Sequence, residues 1–294
     1  MALQHHMGFM NPNQPIFLDY LIVAGGGGGG NTINIGNFPA GGGGAGGFLS
    51  GSVTLYTTKN TTYSITVGVG GITGSANPYC SSSQAGITSG STGGNSQFLD
   101  FISIGGGGGG AMARNPFGIG TPVSLSGGSG GGAGYQTGAG NSISSSAQRQ
   151  GFRGAASNNI NIPGCGGGAG GAGIAGTQIG GIVTPGQPGP PLAWVDGRFY
   201  AGGGVSKQNY TGTFATGSNY NYISGSGGSG IWGSGSNFSC DAPGPDNAIS
   251  ASGQNGIVAI RYPGETIKLA GGEIIISGSY VYHYFPSSST FTIL

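Results

Sequence analysis

The chain has 294 residues, 72 of them glycine, with only 8 lysines and arginines against 7 aspartates and glutamates. A net charge of +1 provides no basic field for nucleic acid or an anionic membrane surface, and no apolar run approaches the ~18 residues that span a bilayer. Disordered chains are charge-rich and poor in aromatics, whereas this one is 5 % charged and 10 % aromatic, so an ordered fold is expected.

Residues 1–15 form a polar, proline-containing lead, read as either an anchoring arm or a disordered one. It has no basic segment followed by an apolar core, so a secretory signal is not expected and folding in a cytoplasm is. Ile16 to Ala24 reads as a strand and runs directly into the hexaglycine Gly25–Gly30. A second glycine run, GGGGAGG at 41–47, leads into a strand over Phe48–Tyr56. Thr62–Val69 is another strand, with Lys59-Asn60 as the turn before it. A continuous strand over Gln97–Ile104 enters the hexaglycine Gly105–Gly110. From 111 to 255, glycine segments near 127–134, 164–176, 201–204 and 224–230 alternate with longer loops. Gly256–Tyr262 reads as a strand stopped by Pro263-Gly264. Residues 264–294 read as a small antiparallel β unit with strands near 266–269, 273–276, 280–285 and 290–294. No segment carries a sustained 3.6-residue period with caps, so no α-helix is expected.

Six successive glycines do not order alone, because each loses more backbone entropy than any other residue. They order when neighbouring chains satisfy their peptide groups. Extended three-residue-per-turn helices lack internal hydrogen bonds, and without side chains they pack closely enough to bond to one another. Each run of six spans about 19 Å at ~3.1 Å per residue. The fold class expected is therefore all-β and irregular: a polyglycine-II helix bundle flanked by short strands over 16–263, followed by the β unit at 264–294.

Loops projecting from such a bundle are rich in aromatics and amides. The candidate contact residues for a partner are Tyr79, Phe117, Trp194, Arg198, Tyr200, Tyr210, Phe214, Tyr220, Tyr222, Trp232 and Phe238. Aromatic side chains give large contact area at low entropic cost. The competing reading is that these rings cap the bundle and cover its glycine faces.

The pieces YLIVAGGGGGG at 20–30, GGGGAGGFLSGSVTL at 41–55, YSITVGVGG at 63–71, FISIGGGGGG at 101–110, GGGAGGAG at 166–173 and NGIVAIRYP at 255–263 stand in a telling order. With them the chain, over about residues 18–294, resembles the glycine-rich domain of bacteriophage tail-fibre and virion proteins. The tail ISGSYVYHYFPSSSTFTIL at 276–294 is similar to the short β-module that follows that domain. The resemblance implies a virion protein made in the host cytoplasm, whose loops at one end of the bundle bind a host surface glycan or protein. It also implies contacts with other virion structural proteins, with residues 1–15 as the mount. Viral fibres are commonly trimers, so a homo-oligomer is expected. No trimeric-fibre region precedes the domain, which points to a capsid-surface or tail-tip position rather than the tip of a long shaft.

Catalytic and cofactor chemistry finds no support. Matches to GxGxxG carry no information where glycine is a quarter of the chain, and no helix follows them. Lys59, Lys207 and Lys268 do not complete a phosphate-binding loop. His283 is the one histidine outside the amino-terminal arm, and its Tyr-Val-Tyr-His-Tyr-Phe setting is structural. His5-His6 reads as part of a solvated arm. The carboxylates form no close pair for glycosidic chemistry, and Asp241 with Asp246 supplies too few ligands for calcium. Cys80, Cys165 and Cys240 form no CxxC pair and are read as free thiols. The sequons at Asn60, Asn209 and Asn237 are read as chance matches.

The chain is thus expected to be a non-enzymatic structural protein without cofactor or metal. Capsid decoration or cement, or a filament-building role, is the alternative to host binding. An antifreeze-type polyglycine-II bundle is a further alternative, although it wants a regular tripeptide repeat and a flat threonine/alanine face and the runs here are irregular. Collagen needs persistent Gly-X-Y, and a silk-like matrix needs long tandem repeats; neither occurs.

Overall fold

The computed structural model describes residues 15–30, 40–56, 58–74, 89–111, 124–134, 139–140, 144–145, 148–157, 162–179, 182–184, 186–206 and 252–294. In chain order the strands are β1 (Ile16–Val23), β2 (Phe48–Leu55), β3 (Thr62–Thr66), β4 (Ser96–Phe98), β5 (Phe101–Ser103), β6 (Ser144–Ser145), β7 (Gln148–Arg149), β8 (Thr177–Ile179), β9 (Ile182–Thr184), β10 (Leu192–Ala193) and β11 (Phe199–Tyr200). They continue with β12 (Ile257–Pro263), β13 (Leu269–Ala270), β14 (Glu273–Ser277), β15 (Tyr280–Phe285) and β16 (Ser289–Ile293). The described residues contain no α-helix, as expected, and so none long and apolar enough to cross a membrane.

Two five-stranded antiparallel sheets carry the apolar core. One has the order β14-β15-β12-β1-β2 and the other β13-β16-β3-β4-β5. Strand side chains alternate between faces. Leu18, Tyr20 and Ile22 of β1 therefore meet Val258, Ile260 and Tyr262 of β12 on the inner face of the first sheet. Opposite them lie Ile65, Phe98, Phe291 and Ile293 of the second sheet. The Phe98 ring sits 5.8 Å from both Tyr20 and Phe291. The Lys59-Asn60 turn forms as expected, with Asn60 at φ 70°, a conformation asparagine tolerates better than most residues.

Two expectations change here. Gln97–Ile104 is not one strand but the hairpin β4–β5, reversed at Leu99-Asp100 with Leu99 at φ 52°. The reversal turns the chain back so that Gly105–Gly110 re-enters the glycine region beside Gly25–Gly30. Nor do the carboxy-terminal strands form a sheet of their own. β14 and β15 extend the first sheet through β12, while β13 and β16 join the second through β3. The chain crosses between sheets at Gly271-Gly272, both at positive φ (122° and 68°), where a Cβ would meet Thr290 O and the Phe285 ring.

Beyond the sandwich the strands become glycine rods, and the hydrogen bonds of Gly25–Gly30 repeat every third residue. Ala24, Gly27 and Gly30 donate to Gly47, Gly44 and Gly41, at 3.1, 2.8 and 3.0 Å. Gly25 and Gly28 donate to Gly94 and Ser91, and Gly26 donates to Gln254. In return Gly106 and Gly109 donate to Gly25 and Gly28, and Gly71 and Gly74 to Gly26 and Gly29. Three residues per turn with every bond intersegmental is the polyproline-II geometry. Consistent with its left hand, the described positive-φ glycines all lie outside these runs. One rod is thus held by five neighbouring segments, some parallel and some antiparallel. Close approach is what requires glycine: a Cβ on Gly107 would lie 1.9 Å from Leu125 O, inside any real contact. Ala45, in the run 41–47, belongs to the apolar cluster that also holds Phe48 and Trp194.

Candidate functional site

The lattice has two ends, and hydrogen bonds identify the one remote from the sandwich. There Gly30 donates to Gly41, Gly41 to Gly110, Gly110 to Gly132, Ala133 to Ala155 and Ala155 to Cys165. Gly74 donates to Gly29 at the same level, and Ser206 contacts Cys165. Past these residues the chain leaves the described rods for segments 31–39, 75–88, 112–123 and 207–251. Tyr79, Phe117, Tyr210, Phe214, Tyr220, Tyr222, Trp232 and Phe238 belong to three of these segments and lie outside the described residues. So do Cys80 and Cys240. Cys165 is a free, buried thiol, and burial pushes its pKa up, so it stays protonated and hydrogen-bonded to Ser206 at 3.2 Å.

Trp194, Arg198 and Tyr200 are described, and they sit at the other end of the lattice. They form the β10–β11 hairpin, which folds over the outer face of the first sheet. Its turn is closed by Trp194 N–H donating to Arg198 O and Gly197 N–H to Trp194 O, with Gly197 at φ 78°. Trp194 and Tyr200 are 7 % and 0 % exposed and pack over the sheet, as rings that cover a face do. The Trp194 ring meets Tyr282 edge-on at 6.3 Å. The Tyr200 hydroxyl donates to Asp196 Oδ2 at 2.6 Å, and the Tyr284 hydroxyl reaches the same oxygen at 3.1 Å. Burial first, then the Asp196 carboxylate, pushes both phenols well above their ordinary range, so they remain donors. Arg198 alone of the three is exposed, with its guanidinium 4.7 Å from the Tyr284 ring centre. The rings cover the sheet because its outer residues there, Leu21, Val23, Ile257 and Ala259, need an apolar lid.

Beside the hairpin the same face turns polar. A groove of about 540 Å³ is lined by Asp19, Ser50, Ser52, Ala193, Trp194 and Arg261 among others. A second depression of about 330 Å³ shares Asp19 and Ser52 and continues toward Phe17, Pro263 and Tyr280. Asp19 Oδ2 accepts from Arg261 Nε at 2.8 Å and Oδ1 from the Ser52 hydroxyl at 2.6 Å. The Arg261 guanidinium lies 4.3 Å from the Tyr280 ring centre. Sequence reading missed this cluster, although a signal was present. Asp19 and Arg261 are the lone charges in two apolar strands, have opposite signs, and become direct cross-strand partners.

Among the described residues no group of three or more His, Cys, Asp or Glu side chains is placed to hold a metal ion. His283 is buried between Tyr262 and Phe285. Its Nδ1–H donates to Gly271 O at 2.8 Å, and Nε2 faces the Tyr262 hydroxyl at 3.2 Å, with that oxygen accepting Lys268 N–H at 2.9 Å. The network is satisfied with a neutral ring.

A family model described as a glycine-rich domain matches residues 8–263. No curated relative and no solved structure matches the chain.

Proposed function

We propose that this chain, which belongs to the glycine-rich domain family, is a non-enzymatic virion surface protein of a bacteriophage, an adhesin whose lattice carries host-binding segments. The observation that supports this reading is the polarity of the described rods. Four long segments, including the one that carries Tyr210, Phe214, Tyr220, Tyr222, Trp232 and Phe238, attach at the lattice end remote from the sandwich. The first strand begins and the last strand ends at the opposite pole: Ile16 pairs with Leu55, and Thr292 with Thr62. A rigid spacer with attachment at one pole and long aromatic-rich segments at the other suits a protein that holds a recognition surface away from a particle. Contacts with other virion proteins belong to the sandwich pole and the 1–15 arm, and the ligand is a host surface glycan or protein.

The test replaces residues 207–251 by a short Gly-Ser linker and follows both particle incorporation and host adsorption. Retained incorporation with lost adsorption is expected. Unchanged adsorption overturns the adhesin reading. Lost incorporation assigns the segment to particle assembly, the decoration or cement role, and overturns it equally.

A further inference from the structure

The outermost strand of the first sheet, β14, has the sequence Glu273-Ile274-Ile275-Ile276-Ser277 and pairs, among the described residues, only with β15. Among the described residues no strand pairs with its other edge, a row of backbone donors and acceptors. Such edges are ordinarily blunted by lysine, proline or a bulge, because they invite pairing with another chain. β14 carries none of these devices. It exposes Ile274 at 37 % and Ile276 at 50 %, and only Ile275 is partly covered. On the same side of the sandwich, beside β13, Ile267 and Leu294 are also exposed, at 42 % and 54 %.

We propose that β14 is the self-association surface of this protein, pairing antiparallel with β14 of a second copy about a two-fold axis through Ile275. The strand is self-complementary in that register. Ile275 faces its own symmetry mate, Ile274 faces Ile276 of the other copy, and Glu273 faces Ser277. Shifting the axis to Ile274 would instead set Ile275 against Glu273 and leave Ile276 and Ser277 unpaired. The favoured register thus places apolar side chains against apolar ones and puts no like charges opposite each other, which is the pairing that stabilises an antiparallel ladder. A two-fold axis also closes the assembly: two edges are consumed and none remains on that side. The result is a continuous ten-stranded sheet across two copies, in place of the expected trimer. Five paired residues per copy make a small contact beside the ~1,600 Å² of a standard interface. The dimer is therefore reversible and concentration-dependent. This inference is independent of the host-binding reading and survives its failure.

The experiment is sedimentation velocity of the full-length chain over a wide concentration range, combined with two variants. Ile276→Lys changes an exposed side chain and leaves thermal unfolding unchanged. It should weaken the dimer by about tenfold or more, because each dimer carries the substitution twice. Ile275→Cys, made with Cys80→Ser and Cys240→Ser, should form an intermolecular disulfide on oxidation. Directly opposed residues in an antiparallel pair lie ~4.5–5.5 Å apart at Cα, within disulfide reach. A wild-type chain that stays monomeric at its highest soluble concentration overturns the proposal. A dimer that neither responds to Ile276→Lys nor cross-links through Ile275→Cys overturns it too. A monomer that dimerises only after removal of residues 1–15 identifies that arm as the occupant of the edge, and again overturns it.

Discussion

In the sandwich, Phe98, Phe285 and Phe291 are each at most 1 % exposed and surrounded by aliphatic side chains, so cohesion there comes from apolar surface withdrawn from water. A few residues away, Gly25–Gly30 are equally buried with no side chains at all, and cohesion comes from peptide groups bonded between rods. The two regions fail differently. A side-chain core tolerates a small loss of volume by partial collapse, whereas rods bonded at van der Waals distance have no slack to take up an added atom.

The largest effect should follow from adding volume to the lattice. Gly107→Val places a branched side chain against Leu125 O and should cost on the order of 5 kcal/mol or more, seen as loss of soluble folded protein. Unchanged thermal unfolding would refute the close-packed lattice. Next comes the sandwich counterpart, Phe98→Ala, at about 3–5 kcal/mol by denaturant unfolding. This chain should remain folded, and the contrast with Gly107→Val is the test.

A pH effect should sharpen the comparison, because the thiol buried in the lattice, Cys165, stays protonated while the sandwich buries His283. Burial holds that imidazole below its ordinary pKa, despite the opposing hydrogen bond to Gly271 O. Between the folded and unfolded values the unfolded chain binds more protons. Stability is therefore complete above about pH 6.5 and declines as pH falls below it. The midpoint of thermal unfolding should drop between pH 7 and pH 5 in the native chain and drop less in His283→Gln. Equal slopes would remove His283 from the account.

Asp19→Ala leaves the largely covered Arg261 guanidinium without its carboxylate and should cost about 1–2 kcal/mol. The loss should shrink when Arg261→Ala is combined with it in a double-mutant cycle. Smallest is Ile72→Ser, on a lattice rod but 70 % exposed, which should stay within ~0.5 kcal/mol. A loss as large as that of Phe98→Ala would mean that the rod's outer face is covered.

Sequence alone placed β1, β2 and β12 to within a residue or two, because their β-branched runs and the glycines beside them leave little choice. It also placed the hexaglycines as three-per-turn rods, since such rods, free of side chains, can satisfy their peptide groups by bonding to one another. It missed the β4–β5 reversal because Leu99 is a poor residue for positive φ and sends no turn signal. The division of the carboxy-terminal strands between two sheets is a matter of long-range pairing, which local pattern does not carry. For Trp194 and Tyr200 both readings stayed open, because aromatics in a polar loop look the same whether they face out or lie over a sheet. Only Leu21, Val23, Ile257 and Ala259 beneath them decide it.

The rods fix both ends of each departing segment through main-chain bonds, such as Gly30 to Gly41 and Gly74 to Gly29. What happens between those ends is not a condition of the scaffold's register. Lengthening a segment raises its closure cost by only about 0.6 kcal/mol per doubling. Residues added or removed there leave the register of the rods intact, whereas one residue added inside a rod shifts every bond of its three-residue repeat.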